Sequence, residues 1–224
     1  MDLVQPTLAI FFKEWLEEKR TRFAITSVLA FTASSLLVMV FAMRAQQLDP
    51  TPKSGLLWIL LLFAALTAGS GSFLRERDRQ TLLLLTIHAR PLAIYLGKLL
   101  YNFLFLLILL CITFSLYTVL LNVTIVGIPS LIVTLLTGSL GLSGVITMTS
   151  AMIAQADRKG ALFSVLSIPL LVPLILLVTR TTRDAFVTGN PAQVSSDYVA
   201  LIGFCGVVIT LGVLLFEYLL NPES

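Results

Sequence analysis

A chain of 224 residues that is 57% hydrophobic and only 12% charged is too apolar for a soluble globular domain, where about a quarter of residues carry charge. Its net charge of +3 is small, and the placement of its basic residues is explained by membrane orientation, so no nucleic-acid partner is expected. A hydrocarbon core about 30 Å thick needs about 20 apolar residues of helix to cross it. Six stretches of that kind occupy residues 23–43, 55–74, 99–121, 129–154, 161–179 and 198–219. Lipid cannot satisfy an open backbone, and nothing alternates like a barrel strand. The expected fold is all-α: a polytopic membrane protein with six transmembrane helices in a single domain over 1–224, leaving no room for a separate soluble domain.

The chain opens Met1-Asp2-Leu3-Val4 without a basic region, and the first span ends in Met43-Arg44-Ala45, a poor cleavage site. No cleaved signal peptide is expected. Residues 4–22 read as a helix lying in the membrane interface. Leu8, Phe11, Phe12, Trp15 and Leu16 share one face at 3.6-residue spacing, and Lys13, Glu14, Glu17, Glu18 and Arg20 share the other. Ile10 breaks the pattern, and a charged lead-in continuing span one is the alternative. Span two carries the small-residue pairs Ala65/Gly69 and Ala68/Ser72, and span four carries Gly138, Gly141 and Gly144 with Ser139 and Ser143. Small residues let helices approach closely in lipid, so these are expected packing faces, within the chain or between two copies. A permeation path lined by them is the other reading.

Span five contains Pro169 and Pro173, each of which removes a backbone donor and clashes one turn back. The helix is expected to bend or break there, as a hinge or as a static kink. Cys111 and Cys205 both fall inside spans and read as packing residues, with neither a redox motif nor a zinc site. Within the spans only Glu217 is charged, which argues against an ion-coupled carrier and leaves a permease powered from elsewhere.

Charge asymmetry sets the orientation. Lys13, Lys19, Arg20 and Arg22 precede span one; Arg75, Arg77, Arg79, Arg90 and Lys98 lie between spans two and three; Arg158 and Lys159 lie between spans four and five. The opposite side holds only Arg44, Lys53, Arg180 and Arg183. Both termini are therefore expected in the cytoplasm.

The longest charged connection runs Arg75-Glu76-Arg77-Asp78-Arg79-Gln80 and on to Lys98. Alternating signs suit a docking face, and Leu82-Leu83-Leu84-Leu85 is too apolar to sit in water alone. Pro91 ends this segment, so it reads as a short helix along the membrane, presented to the cytoplasm. His88, the chain's one histidine, has no Cys, Asp or Glu at ligand spacing, so no metal site is expected. No nucleophile–base or paired-carboxylate set can be assembled, so no catalytic residue is expected. Gly97-Lys98 is followed by Leu99 rather than Ser or Thr, and Leu92 stands where a phosphate loop needs glycine. Any nucleotide motor must be another chain.

The stretch Ser72-Phe73-Leu74-Arg75-Glu76-Arg77 through Ala93-Ile94-Tyr95-Leu96-Gly97-Lys98-Leu99 resembles the coupling segment of ABC-2-like permeases. The stretch Ala156-Asp157-Arg158-Lys159-Gly160-Ala161-Leu162 through Ser167-Ile168-Pro169-Leu170-Leu171-Val172-Pro173-Leu174-Ile175 resembles the CcmB-type haem exporter permease of cytochrome c maturation, in its Pro-Leu-x-x-Pro element above all. The coupling segment departs from the family pattern in lacking an early acidic residue within Leu82–Leu85 and in carrying His88 where a proline is usual. The resemblance implies a permease subunit in an energy-transducing inner membrane, worked by a cytoplasmic ABC ATPase subunit through Arg75, Glu76, Arg77, Asp78, Arg79, His88 and Lys98. It further implies a haem-handling membrane protein and a haem chaperone as partners, and two permease copies per complex. The residues themselves show no haem site: axial ligands are His, Met, Cys or Tyr, and Met43, Met148 and Met152 read as packing residues. Haem is left as a transported or partner-bound ligand. An ABC-2-like exporter of a lipid or drug, and a non-transporting scaffold that gates release of a loaded chaperone, are the alternatives.

Overall fold

The computed structural model describes residues 3–43, 48–69, 90–155, 161–190 and 195–220. Among them the chain forms seven helices and no strand: α1 Val4–Thr21, α2 Phe23–Met43, α3 Pro50–Gly69, α4 Pro91–Leu120, α5 Ile128–Gln155, α6 Ala161–Val187 and α7 Ser195–Leu220. Five of these, α2, α3, α4, α5 and α7, are long and apolar enough to cross a membrane.

Helix boundaries differ from the hydropathy reading where proline or charge misleads it. The third helix in that reading starts at Leu99, with Pro91 as a break before it. In the structure Pro91 instead opens α4, at the first helical position where its missing N–H costs nothing. Arg90 is extended at φ −64°, ψ 143°, as a residue before proline must be, and its carbonyl accepts the N–H groups of Ala93 and Ile94. Lys98 therefore lies within a spanning helix, and Glu217 is not the only charge in one. At the start of α3, Pro50 and Pro52 fall in the first turn in the same way, five residues ahead of the expected Gly55. The helix expected over 161–179 continues to Val187 and carries Arg180, Arg183 and Asp184. Pro169 and Pro173 both lie inside this one helix, which continues past them. Both prolines lie on the exposed side of α6, while Leu171 and Leu174 face the core.

The bundle is built around α5, which packs against α3, α4, α6 and α7. Two thirds of its apolar stretch is buried (67%), against 17% for α2, which sits at the edge on α3 and α4. Small side chains make this central position available. A Cβ on Gly141 would come within 2.7 Å of Leu174, and one on Gly144 within 3.1 Å of Val208. Gly138 lies under the indole of Trp58, whose Nε1 donates to Thr182 Oγ1 at 2.8 Å. The hydroxyls that this helix buries bond back to its own carbonyls, Thr147 to Ser143 at 2.7 Å and Ser139 to Leu135 at 2.7 Å. That arrangement is how polar side chains survive where water is scarce. Cys205 packs in the same seam, with Cys111 on an exposed face of α4.

At the Lys53 end the bundle is tied by backbone contacts. The N–H groups of Val126 and Gly127 both donate to the Ala185 carbonyl, at 3.0 and 2.9 Å, and Tyr117 donates its hydroxyl to the Lys53 carbonyl at 2.6 Å. Gly127 and Gly189 lie backbone to backbone, and Gly189 is left-handed at φ +62°, so neither position has space for a side chain.

Candidate functional site

The other end of the bundle concentrates buried charge. There α1 lies along the first half of α4, and Gly97 makes the approach close: a Cβ would meet the Thr7 carbonyl oxygen at 2.8 Å and Ile10 at 2.9 Å. The next residue, Lys98, is fully buried, and its Nζ donates to Glu14 Oε1 at 2.6 Å. Lys13 Nζ lies 4.0 Å from the same oxygen. Phe11 and Trp15 complete the contact by packing on Tyr101 and Phe105.

This orientation of α1 corrects the amphipathic reading. The face turned to the protein is Ile10, Glu14 and Glu18, spaced four apart and each no more than 6% exposed. The face turned away is Val4, Leu8, Phe12 and Leu16, between 41% and 70% exposed. The polar face expected to meet water is therefore partly buried against α4, and the apolar face is left for lipid. Both demands are met, since the carboxylates find partners inside and the hydrocarbon stays out of water. Glu18 also fixes the turn into α2. Its Oε1 accepts the Ile25 N–H at 3.0 Å, and its carbonyl accepts the N–H of Arg22, which adopts a left-handed φ of 52°.

From the same two turns α4 reaches two further helices. Asn102 Nδ2 donates to Thr147 Oγ1 of α5 at 2.8 Å, and Tyr95 packs on Phe216 and Gly212 of α7. The start of α4 is thus tied to α1 through Lys98, to α5 through Asn102 and to α7 through Tyr95. The buried ion pair fixes the register of α1 on α4 at the cost of desolvating two charges.

Of the residues that the coupling reading singled out, only Lys98 is placed. Arg75, Glu76, Arg77, Asp78, Arg79 and His88 lie outside the described residues. Glu14, Glu18, Tyr95 and Asn102 are additions of the structure. A signal for the first two was present in the sequence: Ile10, the residue on the wrong face, marks the buried stripe at four-residue spacing. Ala65, Gly138, Gly141 and Gly144 lie in helix contacts, and the backbone of Gly69 ends α3. Among the described residues no group of three or more His, Cys, Asp or Glu side chains converges to hold a metal ion.

No curated protein matches the chain. The family model described as CcmB protein matches residues 5–218, which takes in α1 and nearly all of α7 as well as the bundle between them. The chain belongs to the CcmB family, the haem exporter permeases of cytochrome c maturation.

Proposed function

We propose that this chain is the membrane subunit of an ATP-driven complex for haem delivery to c-type cytochromes, worked by a separate cytoplasmic ATPase that docks on Arg75–Lys98. In this reading α6 is a sixth crossing, both termini are cytoplasmic, the membrane is the inner one, and the subunit works as a pair. A haem-handling membrane protein and a haem chaperone complete the assembly. The observation that carries the proposal is how the first turns of α4, which include the last residues of the expected docking segment, are held in the bundle. Lys98, eight residues into the spanning region from Arg90, is clamped to α1, while Asn102 and Tyr95 hold α5 and α7. In this reading a push delivered before Pro91 enters the bundle through these contacts, and membership of the family supports haem as the cargo.

Reversing the charge at Arg75 and Arg77 is expected to lower the amount of ATPase subunit recovered with the tagged membrane subunit several-fold at about 0.15 M salt, where exposed charges act over about 8 Å. Co-purification of the complex measures this, and a normal melting transition of the membrane subunit checks that it is folded. Undiminished recovery of the motor contradicts docking at this segment.

A further inference from the structure

Beyond Lys98 the seam between α1 and α4 opens into a pocket. It is an open slot of about 120 Å³ between the last turns of α1, the first half of α2 and the middle of α4. Sites for drug-sized molecules span about 300–1,000 Å³, so this slot has room for a slender chain and not for a bulky ligand. Trp15, Glu18 and Lys19 line one end, and the rest of the wall is hydrocarbon and a phenyl ring, from Leu29 and Phe105 to Ile112. Phe105 and Ile112 are two turns apart on α4, which gives the slot a length of about 10 Å along the helix.

The lining carries one acid and one base, Glu18 and Lys19, and two further bases follow them in the chain. Glu18 is engaged with the Ile25 amide N–H, while the Lys19 ammonium sits 5.8 Å from the Trp15 ring centroid, and exposed Arg20 and Arg22 follow in the chain. The occupant is thus an amphiphile with a long apolar part and an anionic head. Haem is too broad for the slot, and none of the lining residues is a His, Met, Cys or Tyr that would ligate its iron. The slot also lies where α2 and α4 meet α1, and it carries a tryptophan and a lysine, residue types that favour the lipid headgroup region. We infer that this pocket holds one acyl chain of an anionic phospholipid, its headgroup gripped by Lys19, Arg20 and Arg22, and that the bound lipid braces the corner between α1 and α2.

Native mass spectrometry of the full chain, delipidated in mild detergent and offered phosphatidylglycerol or phosphatidylcholine, tests this. The expected result is one retained phosphatidylglycerol per chain, preferred over phosphatidylcholine by about tenfold. Ile112→Trp, which fills the slot, should abolish that adduct, whereas Leu214→Trp on the exposed face of α7 should leave it. Lys19→Glu combined with Arg22→Glu should erase the headgroup preference. Should Ile112→Trp fail to fold, Leu29→Phe provides the milder filling and is expected to weaken the adduct several-fold. Equal retention by wild type and the filled variant, absence of headgroup preference, or a haem adduct that excludes lipid from the same slot would each overturn the proposal.

Discussion

Lys98→Ala is expected to destabilise the membrane bundle by about 3–5 kcal/mol, because it strands the Glu14 carboxylate in a buried site without its partner. Glu14→Ala should cost a similar amount by stranding the ammonium. The double variant Glu14→Met/Lys98→Met removes both charges and fills the space with hydrocarbon, so most of the loss should be recovered. Unfolding of the purified subunit in detergent measures all three, with the exposed Arg183→Ala as reference, for which a change within about 0.5 kcal/mol is expected. A Lys98→Ala loss no larger than that reference would show that the pair is not enclosed. The double variant also separates structure from function. If the pair serves only to seat α1, a complex carrying both methionines should hydrolyse ATP with normal dependence on its other components.

Gly138→Leu is expected to cost about 3 kcal/mol, at the upper end of what overpacking a filled core brings. An added Cβ at this position would already overlap Cη2 of the Trp58 ring and lie 2.9 Å from Cζ3. The ring cannot swing away freely, since its Nε1 is bonded to Thr182 and the side chain is fully buried. Trp58→Phe alone should lose about 1 kcal/mol with that hydrogen bond, and somewhat more from the space left behind. Combined with Gly138→Leu it should be less harmful than the sum of the two, because the smaller ring vacates the volume that leucine enters. Melting of the two single variants and the double variant gives the coupling directly. Strictly additive losses would mean that α3 and α5 do not meet at this pair.

The membrane architecture was legible because its signal is local: about 20 apolar residues in a row announce a helix without knowledge of any neighbour. The ends of the helices were less so. From sequence, proline before Leu99 reads as a terminator, whereas at the first position of a helix it is a starter, and Pro91 adds two turns to α4. In α6 the charged run Arg180, Arg183 and Asp184 ends a hydropathy window but not the helix, which needs only intact backbone bonds. The site was the least legible part. Glu14 and Lys98 are 84 residues apart, and nothing in either neighbourhood names the other. Read alone, α1 is an amphipathic helix with its acids toward water. Only the approach allowed by Gly97 shows that those acids line a protein contact and that Leu8, Phe12 and Leu16 are the outer face.

The account rests on this subunit having no engine of its own and being driven through α4 by a neighbour at its basic end. The most direct measurement is ATP turnover by the tagged chain purified from its own membranes, assayed before and after high salt strips away associated proteins, with the retained chain checked for folding. The account predicts turnover that accompanies a co-purifying ATPase and disappears from the stripped subunit. Hydrolysis that stays with the stripped chain at an undiminished rate would contradict it.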